Sequence, residues 1–270
     1  MVSIYEVESV RALVLDFYEK AWKSTDATRK VFEQIGYELT TSAINMVPLL
    51  QNLNNVDKLY AGPIARAGCG LFRPHVIKLL EKICTANGVR FEPFAMGLRR
   101  SDNPLQNPAI VYWNTLQRIS DLNLSSSTIL LYEMGEATGS TIEGAINELR
   151  RLKAPPHNVV LLIGAACIEQ TKNRLEAVAP DLNLVIGSRW RYDDTPGPTQ
   201  YYLTHILNNG WTPVSPRDWG QCVSGMTDIE SVDSFIDWIR ETLKISNNEQ
   251  KILRQDWSNK INEKIIGPRR

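Results

Sequence analysis

The chain reads as an α/β fold built on a mainly parallel sheet flanked by helices, and three observations predict it. Five short apolar runs have the length and pattern of buried strands: "KLYAGPIA", "RFEPFAMGL", "STILLYE", "NVVLLIGAA" and "LNLVIGS". Segments with helical spacing separate most of them, as a parallel sheet with crossover helices requires. One run, "STILLYE", passes straight into a loop carrying Gly135, Thr138 and Gly139 and then into a helical pattern from Thr141. The helices follow from aligned apolar residues. Val31, Ile35, Leu39, Ala43 and Met46 line one face between Thr28 and Met46. Phe72, Val76, Leu79, Leu80 and Ile83 do so in the next segment, and Ile142, Ala145, Ile146, Leu149 and Leu152 do so after the loop.

Two stretches, "RRSDNPLQNPAI" and "YDDTPGPTQ", read as long loops, and loops of that length often act as lids. Residues 226–270 differ in kind. Thr227 with Glu230 and Ser246 with Glu249 form capping-box patterns. Each opens an amphipathic segment: Ile229, Val232, Ile236, Ile239 and Leu243, then Leu253, Trp257, Ile261 and Ile265. The expected organisation is a catalytic-sized domain over 1–225 and a helical extension over 226–270, packed on the body or on a partner subunit.

Composition narrows the function. The 270 residues suffice for one large domain, with or without an appendage. Thirty basic residues balance thirty acidic ones, so no global field points to nucleic acid or to a membrane surface. No apolar run reaches the roughly 18 residues of a membrane span. The opening "MVSIYEVESVRALVLDFYEK" mixes charges into its apolar pattern, unlike a signal peptide. Cys69, Cys84, Cys167 and Cys222 lie far apart with no C-x-x-C pair, which argues against zinc and for buried, reduced thiols. A cytoplasmic location is the expectation.

The loop after "STILLYE" has the chemistry of an anion site. Free backbone N–H groups at a helix start converge, and the helix dipole adds about half a positive charge. Thr138, Ser140 and Thr141 supply hydroxyls, Gly139 permits close approach, and Ser140 with Glu143 makes a capping box. No Lys follows the glycine, so the nucleoside-triphosphate P-loop is excluded and a phosphate monoester fits better. Glu133 would repel that phosphate. It suits sugar hydroxyls or a metal-bound water, which together with the anion suggests a sugar phosphate. The same stretch also fits an ordinary strand-to-helix corner with an exposed Glu.

"ILLYEMGEATGST" resembles the 5-phosphoribosyl-1-pyrophosphate loop of type I phosphoribosyltransferases, and within them the V-D-P-M-L-A-T-G-G-[ST] of the uracil family. "GPIARAGCGL" is similar to that family's V-P-I-L-R-A-G-L-G-M. Weaker likenesses follow in order. "TRKVFEQIGYELT" resembles the first family helix, and "GLRRSDNPLQNPAIVYW" resembles G-L-Y-R-D-x-E-T-L-x-P-V-x-Y-Y with Pro104 where the family has threonine. "GAACIEQ" resembles A-A-P-E-G-[IL]-E, and "GWTPVSPRDWGQ" aligns with the uracil-binding flap, so the likeness spans about residues 20–225.

The resemblance implies an enzyme moving phosphoribose from phosphoribosyl pyrophosphate to a ring nitrogen, with release of pyrophosphate. It implies that Glu136, Ala137, Thr138, Gly139, Ser140 and Thr141 form the phosphate loop. Like-charge repulsion from a dianionic phosphate turns the Glu136 side chain outward as a solvated charge. Glu133 would hold ribose hydroxyls, and Arg66, Ala67, Gly68 and Arg100 would take pyrophosphate. Mg²⁺ would come bound mainly to the substrate rather than to protein ligands. The chain would act on small molecules as a homodimer or higher homo-oligomer.

The base site departs from the family. Thr212, Arg217, Asp218 and Trp219 occupy the flap, and Gly187, Ser188, Arg189 and Trp190 stand where the family has A-A-L-D. A cation and two indoles suit a heterocycle other than uracil, larger or anionic. True uracil specificity and a catalytically silent nucleotide sensor remain the alternatives.

Overall fold

The computed structural model describes residues 1–19, 25–65, 68–99, 106–119, 121–136, 138–193, 200–204, 211–214, 240, 246–252 and 254–255. Its centre is a pair of parallel strands, β6 (Thr128–Glu136) and β7 (Val159–Cys167), in which every residue is buried. Such strands need apolar residues on both faces rather than alternation, and "TILLY" and "VVLLI" supply them.

The remaining strands build outward from this pair. β2 (Lys58–Ala65) lies parallel to β6 on one side, and β8 (Asn183–Asp193) lies parallel to β7 on the other. Beyond β2 come β3 (Arg90–Pro93), β4 (Met96–Arg99) and β5 (Ile110–Asn114). Along β8 run β1 (Ser3–Glu6) and β9 (Gln200–Thr204), with β10 (Trp211–Val214) outermost. β1 pairs in parallel with Asn183–Ile186 and β9 antiparallel with Trp190–Asp193, so two strands share the length of β8. The expected mainly parallel sheet is present. Among the described residues antiparallel pairing is confined to β4 with β5, and to β9 with β8 and β10.

Helices cover both faces. The core on one face joins α1 (Glu8–Glu19), α2 (Thr25–Met46) and α5 (Pro74–Ala86) to the sheet through Val10, Val14, Ile35, Leu39, Val76 and Leu80. The short α4 (Gly68–Leu71) contributes Leu71 to the same core. The other face holds α6 (Ser140–Arg151) and α7 (Ile168–Val178), through Ile142, Ala145, Ile146, Leu149 and Leu175. α3 (Pro48–Gln51) closes the turn after α2. Among the described residues no helix is long and apolar enough to cross a membrane.

Some boundaries differ from the sequence reading. The run "RFEPFAMGL" is two strands, because β3 pairs with Lys58–Ala61 of β2 and β4 with Ile64–Ala65 of the same strand. Pro93 offers no N–H to continue the first ladder, and Phe94 N–H donates to the Ala61 carbonyl at 2.9 Å as the chain steps across. β1 and α1 had no strong sequence signature; β1 is only four residues long and half-exposed. Cys69, Cys84 and Cys167 are buried thiols, as expected, while Cys222 lies outside the described residues. Burial pushes the Cys84 thiol up to about 11. The helical extension over 226–270 lies mostly outside the described residues. Its second capping box is present: Ser246 N–H donates to Glu249 at 2.9 Å, and Glu249 N–H donates to Ser246 Oγ at 3.4 Å.

α2 meets α4 at contact distance, since a Cβ on Gly36 would stand 2.0 Å from the Leu71 carbonyl oxygen. Backbone cannot yield there as a flexible side chain would. Gly36→Val is expected to lower stability by about 1–3 kcal/mol, read as a shift in the urea midpoint with unchanged slope.

Candidate functional site

The two sequence motifs fall on one edge of the sheet. β2 and β6 are parallel neighbours, so the segments leaving their C-terminal ends emerge side by side, the usual location of ligand sites in such sheets. The pairing of β2 with β6 ends at Pro63 opposite Tyr132, after which Ile64 and Ala65 pair with β4. α4 begins at Gly68 directly against β6: a Cβ on Gly68 would lie 2.0 Å from the Tyr132 carbonyl oxygen. Only a residue without a side chain lets that turn approach so closely.

Glu133 follows at the point where β2 has left, while β7 still pairs with β6. It is 8% exposed, and its Oε1 accepts the N–H of Met134 at 2.8 Å and that of Gly135 at 3.4 Å. A buried carboxylate needs such donors. Burial, with the nearby Glu133 charge adding to it, pushes the Cys69 thiol on α4 well above its ordinary value. Beneath it the Tyr132 hydroxyl shares a 2.9 Å hydrogen bond with Thr40 of α2; burial raises the phenol well above its ordinary value, and the Thr40 bond offsets part of that rise.

Glu136 corrects the sequence reading, which turned it outward. It is 1% exposed, and its Oε1 accepts the N–H of Thr138 at 3.1 Å and that of Gly139 at 2.8 Å. The reason lies in the turn. Gly139 has φ of +76°, a left-handed conformation that favours glycine and folds the loop back over the end of β6. The loop N–H groups of Thr138 and Gly139 then meet the Glu136 carboxylate.

The expected capping box between Ser140 and Glu143 is also absent. Gly139 is the N-cap of α6, which makes Ser140 the first helical residue instead of the cap. Ser140 Oγ donates to the Asn107 carbonyl at 2.9 Å, and the Ser140 carbonyl accepts the Ala109 N–H at 2.9 Å. Its N–H donates to Thr138 Oγ1 at 3.3 Å. Thr141 follows in the first turn, largely buried. Glu143 pairs instead with Arg174 of α7, whose guanidinium also donates to the Thr138 carbonyl at 3.4 Å. Arg174 packs over Gly139, with its Cδ 3.1 Å from where a Cβ would stand.

Seven expected site residues are thus placed on this edge: Gly68, Glu133, Glu136, Thr138 and Gly139, with Ser140 and Thr141 beyond it in α6. Arg66, Ala67, Arg100, Ala137, Arg217, Asp218 and Trp219 lie outside the described residues. Thr212 belongs to β10, opposite Leu203, with β9, β8 and β7 between it and β6. Arg189, expected beside the base, pairs with Glu6 at the end of β1, and Glu6 also binds Arg11 of α1 at 3.2 Å. Sequence reasoning missed Arg174 and Asn107. Each is remote in the chain from the loop it braces: Arg174 belongs to no recognisable pattern, and Asn107 lies in the long loop before β5 with nothing in its spacing to point at Ser140.

No family model and no curated protein matches the chain. Solved structures overlap parts of it. A hypoxanthine phosphoribosyltransferase from Staphylococcus aureus is 10% identical over 61% of this chain and 75% of its own, with a TM-score of 0.34. APRTase from Giardia lamblia complexed with 9-deazaadenine is 14% identical over 65% and 83%, with a TM-score of 0.33. The hypoxanthine phosphoribosyltransferase from Trypanosoma cruzi complexed with the product IMP is 12% identical over 73% and 91%, with a TM-score of 0.35. Scores this low give the likeness no weight in deciding family or activity.

The Arg174–Glu143 pair is mostly shielded from water, with side chains 13% and 15% exposed. Glu143→Ala is expected to cost about 2 kcal/mol, between the values for surface and buried pairs, because it leaves Arg174 partly buried without that carboxylate. The double variant Glu143→Ala/Arg174→Met should recover part of the loss. Thermal or urea melts of the three variants check this.

Proposed function

We propose that the chain is a phosphoribosyltransferase that moves 5-phosphoribose from phosphoribosyl pyrophosphate to a nitrogen heterocycle other than uracil. One observation carries the phosphate assignment: two loop N–H groups, those of Thr138 and Gly139, converge on a single anionic oxygen. A loop shaped to grip one carboxylate oxygen has the donor geometry for a phosphate oxygen. The proximity of Gly68 to β6 supports the second half of the reading, since it sets the start of α4 beside the same edge.

In this reading the loop 136–141 anchors the 5′-phosphate and Glu133 orients the ribose hydroxyls. The ring nitrogen attacks C1, the C1–oxygen bond to pyrophosphate breaks, and configuration inverts through an oxocarbenium-like state. Arg66, with the N–H groups of Ala67 and Gly68, would take the negative charge that develops on the leaving group, and Arg100 would close over it. The protein's contribution is orientation and charge stabilisation rather than covalent chemistry.

Magnesium would be held chiefly by substrate oxygens. Glu133 and Glu136 are oxygen donors of the kind magnesium takes, yet each already accepts backbone N–H groups. Among the described residues no group of three or more His, Cys, Asp or Glu is placed to hold an ion. The ion would neutralise charge on the pyrophosphate. The base preference rests on Arg217 and Trp219, now without Arg189, which is engaged by Glu6. A fork of donors and a flat stacking face suit a larger or acidic ring.

The test is release of pyrophosphate from phosphoribosyl pyrophosphate and Mg²⁺ across a panel of bases. Turnover of a larger or acidic heterocycle above uracil is expected. Equal or faster turnover of uracil would reverse the base assignment, and binding without turnover of any base would select a silent sensor. Arg66→Ala should lower the rate at least tenfold, corresponding to loss of a charge-assisted bond worth about 1.5–3 kcal/mol, with little change in product-nucleotide binding. Thr138→Ala together with Gly139→Val should abolish phosphoribosyl pyrophosphate binding in calorimetry while the far-ultraviolet circular dichroism stays the same.

A further inference from the structure

We propose that Asn87 is a site of spontaneous modification, deamidated by its own main chain when the end of α5 opens. Of the asparagines in the chain only Asn87 and Asn209 precede a glycine, and Asn209 lies outside the described residues. In this reaction the Gly88 nitrogen attacks the carboxamide carbon of Asn87. A carbon–nitrogen bond forms and closes a cyclic imide, the bond to Nδ2 breaks, and Nδ2 leaves as ammonia. Water then opens the imide at either carbonyl. The product is aspartate, or its isomer with the main chain running through the side-chain carboxyl. Solvent water is the only co-reactant. Glycine hinders the attacking nitrogen least, and nothing lies within 4 Å of where a Cβ on Gly88 would stand. Asn87 and Gly88 are both exposed, so water reaches the imide.

The fold decides when this happens. Asn87 is the C-cap of α5, and both reacting groups are held on its last turn. The carboxamide Nδ2 donates back to the Ile83 carbonyl at 2.9 Å, and the Gly88 N–H donates to the Thr85 carbonyl at 3.3 Å. At the Asn87 ψ of 4° the Gly88 nitrogen eclipses the Asn87 nitrogen and is turned from the side chain. Ring closure has to break both bonds and rotate that main chain. An exposed helix end opens far more often than the core does. Val89 beyond it is buried and tied to the Cys84 carbonyl at 2.9 Å, which keeps the opening local. The rate then follows the open fraction. The product undoes the cap. A carboxylate has no N–H for the Ile83 carbonyl, and its charge stands at the negative end of the helix dipole, where the last turn carries no basic residue. Deamidation therefore loosens the end of α5 and the entry into β3.

The full chain is incubated in mildly alkaline buffer, folded or in urea, and digested with trypsin, which frees Ile83–Arg90 as a peptide separate from Asn209. Conversion is read from the amide-to-acid gain in mass and from chromatographic separation of the aspartate and isoaspartate forms. The folded chain is expected to convert roughly tenfold more slowly than the chain in urea. Ala86→Gly, which weakens the last turn of α5, should convert roughly threefold faster than the unaltered protein when folded, and at the same rate in urea. Asn87→Gln, whose longer side chain closes a larger ring more slowly, should stay unconverted over the same time. Asn87→Asp should melt below the unaltered protein. Absence of conversion in the folded chain, while the chain in urea converts, overturns the site. Equal rates with and without urea, or an unchanged rate in folded Ala86→Gly, overturn the control by α5. An unchanged melt of Asn87→Asp overturns the loosening.

Discussion

The constraint on which the site depends is the complete burial of β6. All nine residues from Thr128 to Glu136 are shielded, two carboxylates among them. Apolar residues pack there without cost, but an ionised carboxylate taken from water must find donors. Glu133 finds them on Met134 and Gly135, and Glu136 finds them on Thr138 and Gly139. The second choice shapes the loop, since the chain must fold back on its own strand end to present those amides. That return is what the positive φ of Gly139 allows.

Around the loop, bracing comes from segments far away in sequence. Asn107 and Ala109 bind Ser140 from the approach to β5, and Arg174 of α7 reaches both Glu143 and the Thr138 carbonyl. On the other side α4 presses against the Tyr132 carbonyl through Gly68. The result is a loop whose geometry is set by contacts within the fold. Preorganised donors lose little freedom on binding, which favours affinity and, where charge develops in a reaction, favours rate. Glu136 accepts two of the loop's amides inside the fold, so neither is left buried without an acceptor.

Much of the architecture was legible from residues alone. Long apolar runs without alternation can be satisfied only inside a sheet covered on both faces, so β2, β6, β7 and β8 were readable from composition and length. Periodic apolar faces likewise marked α2, α5 and α6. β1 escaped because four half-exposed residues carry too little pattern, and they become a strand only when β8 offers its free edge. Of the site, the loop and its acids were visible because glycine, hydroxyl and carboxylate residues cluster within one short stretch.

The sequence by itself determined the fold class and the position of the loop, since both follow from local properties: which residues avoid water, and which backbone turn glycine permits. Only the tertiary structure decided what those residues face. Glu136 turned inward because α6 starts one residue earlier than the capping pattern suggested, leaving two amides aimed at its carboxylate. Glu143 left its capping role for Arg174, and Arg189 left the expected base site for Glu6. A charged side chain takes the partner that burial and distance bring nearest, and that partner is chosen by packing between segments dozens of residues apart.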